Sequence, residues 1–361
     1  VNADGNIEKE TQNLLLQSDW DDVGTGVPPT GWGTFDPNFQ AGASTGQIRF
    51  ITSSNRGYIY QNFAVSTGVY TFSFYVDDVV DPAQISGSIA MFGVSNTIIT
   101  YAKDGVSCSG GELLTAGSRF SVTTNITSAG TLNLRIGAGV NGPTTDDFTL
   151  SRPQGEQGLV ARDYIETTTA AVEGGITDNV PRLDYTDSSC PALLLEPQRT
   201  NLVDYSEYYD VWFKAGTTPT FTENYGTSPE GVQNSTRVQL DNNELFYRTP
   251  NAAQGAYVFS VFAKDISGGG SKITLRIDAP ATKVATFDLS DGSIDTYTSD
   301  NALIEDYGNG WYRCMLIQNN DGIVNVVIAE GDASLDCEIY GAQLEAGSYA
   351  TSYIPTYGTS V

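Results

Sequence analysis

The chain has 361 residues, 40% of them hydrophobic, with 43 acidic and 18 basic side chains giving a net charge of −25. That length suits about two domains of roughly 150 residues each, and the acidic balance argues against nucleic acid as a partner, because polyphosphate is repelled at long range. Histidine is absent, which removes Ser-His-Asp and Cys-His catalysis and His-ligated zinc.

No stretch approaches the ~18–20 apolar residues of a membrane span. There is neither an initiator Met nor a signal peptide, so Val1 is expected to begin partway through a longer or processed polypeptide. The 38 Gly, 20 Tyr and 15 Phe stand in a background of Thr, Ser, Asn and Asp. This composition favours strands joined by tight turns.

In chain order, the first segment with a signature is "NIEKETQNLLLQS" (6–18). It returns as "LLLEPQRTNLVDYS" (193–206), with Glu8 over Glu196, Asn13 over Asn201 and Ser18 over Ser206, each 188 apart. Next, "GVYTFSFYV" (68–76) alternates Tyr70, Phe72, Phe74 and Val76 with Thr71, Ser73 and Tyr75, as a half-buried strand does. Its partner is "GAYVFSVFA" (255–263). "FSVTTNITSAGTLNLRIGAG" (120–139) lies over "YRCMLIQNNDGIVNVVIAEG" (312–331) without a gap, and "QGEQGLVARDYIETT" (154–168) over "QLEAGSYATSYIPTY" (343–357). Asp-Gly at 104–105, 291–292 and 321–322 and Asn-Gly at 141–142 and 309–310 mark turns, and "VATFDLSDGSIDTYT" (284–298) reads as a hairpin.

The repeat sets the domains: 1–169, a linker over 170–189 that is partly a hairpin, and 190–361. Many short strands and no sustained helical period predict an all-β chain of two tandem β-sandwiches, each a jelly roll. Of the four cysteines, Cys314 falls on Val122 and Cys337 on Phe148, so buried thiols are expected and a Cys314–Cys337 disulfide is the alternative.

The run "PRLDYTDSSCPALLLEPQRTNLVDYSEYYDVWF" (181–213), with "GNGWYRC" (308–314) and "GAQLEAGSYATSYIPT" (341–356), resembles a family of bacteriophage virion proteins. "VNADGNIE" (1–8) looks like the start of the same pattern, whereas the first unit carries "RPQGEQG" (152–158) and no "GNGWYRC". Each unit is also similar to β-sandwich carbohydrate-binding modules, through "NLL" at its start and the strand "TTDDFTLS" (144–151) at its end. Together these likenesses imply a non-enzymatic virion fibre or tail protein displaying glycan-binding-type domains. The implied partners are other virion proteins and a host surface polysaccharide, with assembly as a homotrimer at the virion surface. The alternative is the accessory carbohydrate-binding region of a secreted polysaccharide-degrading enzyme or adhesin. A glycosidase would need a defined pair of carboxylates, and nothing singles one out.

Asp19 pairs with Glu207, Asp22 with Asp210 and Asp147 with Asp336 across the repeat. If first and last strands are neighbours, as the likeness suggests, Asp19 with Asp147 and Glu207 with Asp336 would gather oxygen ligands for a structural calcium ion; the plainer alternative leaves these acids facing water. For sugar stacking the candidates are Trp32, in the loop "PPTGWG", and Tyr208, Tyr209 and Trp212, although Trp20 over Tyr208 suggests shared packing. Trp311 reads as core. Arg199 is expected to pair locally with Glu196 or Asp204.

Overall fold

The computed structural model describes residues 2, 6–175, 183–185, 190–216, 219–250, 252–266, 268, 271–320, 322–331 and 334–360. The chain divides into two units, residues 10–178 and residues 179–361 together with 1–9. Residues 1–9 thus lie with the second unit and not with the first. Pro181, Arg182 and Asp321, which belong to motifs noted above, fall outside the described residues.

Each unit is two antiparallel sheets face to face, and the sheets correspond strand for strand. In the first unit the larger sheet runs Phe39–Ala41, Gln47–Ile51, Asp147–Gln157, Gly68–Asp81, Arg119–Ile126, Asn96–Lys103 and Val106–Cys108. The second unit repeats its first six members in the same order, as Thr220–Thr222, Thr236–Asp241, Ser334–Ala346, Gly255–Asp265, Tyr312–Asn320 and Asn301–Asp306. The opposing sheets run Gly33–Phe35, Gly57–Val65, Gly130–Ala138 and Ile89–Phe92, against Phe213–Ala215, Leu245–Arg248, Asn325–Glu330 and Lys272–Asp278; the second unit adds Lys283–Asp288 and Ser293–Tyr297. The chain is therefore all-β, two tandem β-sandwiches, with the four-residue helix Ile85–Ser88 and the 3₁₀ turn Tyr209–Val211 as its helical pieces among the described residues.

The two-residue period explains the layering. Phe72 and Phe74 pack with Phe50, Phe120 and Phe148 between the sheets of the first unit, as Phe259 and Val261 pack with Phe246, Leu275 and Ile328 in the second. Each such buried side chain stabilises the fold by about 1.5–3 kcal/mol relative to exposure. Asp104 and Gly105, both with positive φ, close the hairpin between Asn96–Lys103 and Val106–Cys108, the backbone a tight two-residue hairpin turn requires. Residues 172–175, read as linker, form the strand Val172–Gly175 paired with Glu10–Asn13, and Leu183–Asp184 pairs with Ala192–Leu193. Cys314 and Cys337 are fully buried free thiols, and burial lifts both above the ordinary thiol range.

What most firmly identifies the halves as copies is a buried polar frame, which hydrophobic pattern alone would not demand. Asn13 donates through Nδ2 to the carbonyls of Pro153 (3.3 Å) and Ile165 (2.7 Å), and its Oδ1 accepts from the amides of Leu15 and Gly155, both at 3.1 Å. Asn201 does the same with Ala342 (3.1 Å), Ile354 (2.9 Å), Val203 and Leu344. Ser18 meets Tyr164 at 2.9 Å and accepts from the Thr167 amide; Ser206 meets Tyr353 at 2.6 Å and accepts from the Thr356 amide. Gln154 donates to Glu156 at 2.8 Å, and Gln343 to Glu345 at 2.7 Å. Unmet buried polar groups cost about 1–3 kcal/mol each. The frame therefore ties the segment that enters each unit to the long strand Asp147–Gln157 or Ser334–Ala346 and to the stretch that follows it.

Candidate functional site

The outer face of the larger sheet, turned away from the core, differs most between the units. In the first unit Gln47 and Arg49 alternate with the buried Ile48 and Phe50 and so project outward. Register aligns Gln40, Arg49, Thr149 and Asp78 in one row across four strands, with Gln47, Ser151 and Tyr75 in the next. The first row, with Gln47 of the second, floors an open cavity of about 480 Å³, also lined by Asp77 and by residues 41–44.

The polar groups are held in place. Arg49 donates through Nε and Nη2 to the two oxygens of Asp147 at 2.7 and 2.6 Å, a bidentate pair with a fixed plane. The Gln47 side chain accepts from the Ser44 amide at 3.0 Å, and the turn closes this tightly because residue 42 is glycine: a Cβ there would sit 2.5 Å from that of Gln47. Beside the cavity, the Arg152 guanidinium lies 3.8 Å over the Tyr75 ring and 3.9 Å from Asp77. The Arg49 guanidinium and the Gln47 amide are thus held in fixed orientations on this face.

In the second unit the same face is covered beyond its arginine–aspartate pair. Arg237 and Asp336 repeat the bidentate pair at 2.8 and 2.7 Å. But Tyr340 faces Phe262 where Ser151 faces Tyr75, and Phe262, Tyr340, Tyr353 and Trp311 form a buried aromatic cluster on this outer side. The cause is a loop. Between the first two strands of the sheet the first unit has residues 42–46 and the second has residues 223–235, and the longer loop folds over: the Ser235 hydroxyl donates to Glu338 at 2.5 Å and the Trp311 indole donates to the Thr227 carbonyl at 3.1 Å.

The expected sugar platforms are corrected by burial. Trp32 is not presented outward; its indole donates to the carbonyls of Leu16 (3.0 Å) and Gln17 (3.2 Å) and stands edge-on to the fully buried Trp20. Trp212 donates likewise to the Tyr205 carbonyl at 2.9 Å and packs on Tyr209, and Tyr208 is buried as well. The spatial match is therefore Trp32 with Trp212 and Trp20 with Tyr209. Trp311 is core, as its sequence context suggests. Arg199 lies 3.9 Å from Glu345, while Asp204 is taken by Arg248.

Three of the four acids expected to gather a cation meet other partners. Asp147 and Asp336 face arginines, and Glu207 is buried against the Lys9 ammonium at 2.6 Å. Asp19 is raised from its ordinary range, first by burial and then by Asp21. Among the described residues no three acidic or cysteine side chains are gathered as a metal site.

No protein-family model matches the sequence, and no curated protein matches it. Among solved structures, the N-terminal CBM22-1–CBM22-2 tandem domain of Paenibacillus barcinonensis Xyn10C aligns over 93% of this chain and 98% of its own, at 10% identity and a TM-score of 0.30. Tandem CBM51 modules of Sp3GH98, the family 98 glycoside hydrolase of Streptococcus pneumoniae SP3-BS71, align over 94% and 100%, at 10% identity and a TM-score of 0.20. Neither is a virion protein, and at these scores the sheet order above carries the fold description.

Proposed function

We propose that the chain is a non-catalytic glycan-binding protein whose first unit takes a neutral saccharide on the outer face of its larger sheet. The observation that carries this reading is the open cavity floored by Gln40, Arg49, Thr149 and Asp78, with Gln47 beside them. Sugar hydroxyls both donate and accept, and a floor of oriented amide, carboxylate and guanidinium groups answers both needs. Arg49 is already neutralised by Asp147, and Asp77 and Asp78 add negative charge. Sulfated or phosphorylated glycans are therefore disfavoured.

Such a protein serves as an attachment component of a virion, to which the motifs at 181–213, 308–314 and 341–356 point, or as the binding region of a secreted polysaccharide-degrading enzyme. The test is calorimetric titration of the full chain with neutral oligosaccharides first selected on an array. Gln40→Ala and Asp78→Ala are expected to weaken binding at least tenfold, and Arg237→Ala, at the equivalent place in the second unit, to leave it unchanged. Binding that survives both first-unit substitutions, or an array with no neutral ligand, would refute the site.

A further inference from the structure

The second unit encloses a lysine for which its copy has no counterpart. Residues 6–9 belong to this unit and alternate as an extended segment: Ile7 packs against the Phe262, Trp311, Tyr340 and Tyr353 cluster, Glu8 is exposed, and Lys9 is buried. The Ile7 amide donates to the Pro229 carbonyl at 2.8 Å. Asn6 rests on Gly231, where a Cβ would come within 2.6 Å of the Asn6 side-chain nitrogen and where φ is +86°, a backbone shape that favours glycine.

The Lys9 ammonium lies 2.6 Å from Glu207 and 2.7 Å from Glu230 and donates to the Tyr357 hydroxyl at 3.3 Å. The rings of Tyr340, Tyr353 and Tyr357 surround it, with centroids at 5.1, 5.9 and 5.8 Å. The carboxylates are themselves held: Tyr353 donates to Glu207 at 2.9 Å, and Tyr340 and Asn234 donate to Glu230 at 3.0 and 2.8 Å. Two hydrogen-bonded acids and three aromatic faces make a cage matched to one primary ammonium. The first unit keeps only the Ser18–Tyr164 pair of this arrangement. Along the repeat, Ser151 stands for Tyr340, Thr168 for Tyr357 and Asp19 for Glu207.

We propose that the second unit is a receptor for an extended peptide of the pattern Ile-x-Lys, and that residues 6–9 are its tethered ligand. The cage recognises the lysine, the aromatic cluster recognises the isoleucine, and the loop 223–235 supplies Pro229, Glu230 and Gly231 to hold the backbone. This assignment is independent of the glycan reading. Tethering raises the effective concentration of the segment far above that of a free competitor, so the intact chain presents the site already filled.

The test uses a chain shortened to begin at Glu10 and a fluorescent peptide of residues 1–9. Saturable binding is expected, at least tenfold weaker for the same peptide with norleucine in place of its lysine, and abolished when the shortened chain carries Glu207→Gln and Glu230→Gln. The full chain should not take up the peptide. If the shortened chain does not fold, a protease site placed between Lys9 and Glu10 and cut after folding gives the same readout, the released segment staying bound through gel filtration. Failure of the folded receptor to bind the peptide, equal binding of the norleucine peptide, or prompt loss of the cut segment would overturn the proposal.

Discussion

The outer faces of the two larger sheets occupy equivalent places in a duplicated fold, yet one carries an open polar cleft and the other is crossed by a longer loop that also helps enclose a lysine. The strands beneath are the same, as are the buried Asn–Ser–Gln–Glu frame and the outward Arg–Asp pair. What changed is the loop length, 42–46 against 223–235, and the exchange of Ser151 for Tyr340 at one register position. A duplicated sandwich thus keeps its folding determinants in the interior and at strand ends, and is free to give each copy's exposed face a separate task.

The largest expected effect breaks the filled face alone. Lys9→Met leaves Glu207 and Glu230 buried without their cation, and removing one member of a buried ion pair costs about 3–5 kcal/mol. Urea unfolding read by fluorescence, with Trp311 in the affected cluster, should report this loss for the second unit.

A pH dependence sharpens the contrast from another side of the second unit. Burial lifts the Glu223 carboxyl from its ordinary 4.5 to about 7, against the lowering effect of the Thr236 hydroxyl that donates to it. Because the folded state holds this proton more tightly than the unfolded chain, stability falls as pH rises from about 4.5 to about 7, and the loss is complete above the folded value. Glu223→Gln should flatten that slope. An unchanged slope in the variant would assign the dependence to other groups.

The smallest effect tests what the faces share. Arg49→Lys and Arg237→Lys each break a bidentate but solvent-accessible pair, so each should cost under ~1 kcal/mol, and by similar amounts. A large loss in one unit only would mean that the pairs are not equivalent.

Much of this was readable in the sequence. The repeat at offsets near 188, the alternation of Tyr70 to Val76 and the turn dipeptides lead to two sandwiches, since period and turn chemistry are local properties of the chain. The candidate site was not readable in the same way. Trp32 looked like a platform because a Trp beside Pro and Gly suggests a loop, and Trp212 because it stands close to Tyr205, Tyr208 and Tyr209; their indoles instead donate to the carbonyls of Leu16, Gln17 and Tyr205, so that each ring turns inward. Asp147 and Asp336 looked like cation ligands until Arg49 and Arg237, on neighbouring strands almost a hundred residues away, proved to be their partners. The row Gln40, Arg49, Thr149 and Asp78 unites four separated segments. The alternation in "QIRFI" (47–51) puts Gln47 and Arg49 on one face, but nothing local joins them to Gln40, Thr149 and Asp78. Lys9 was assigned with the first domain because the repeat runs through residues 6–18, and nothing local to it announces a cage built from residues 207–357.

The account rests on the two halves being one structure written twice, with Asn13 and Asn201 as its most direct markers. Hydrogen exchange followed by peptide mapping on Asn13→Ala and Asn201→Ala measures this locally. The first substitution should release protection in residues 147–157 and 164–168, the second in residues 334–346 and 353–357, each to a similar degree and without change in the other unit. Protection lost from one variant only, or spread evenly through both units from either, would contradict it.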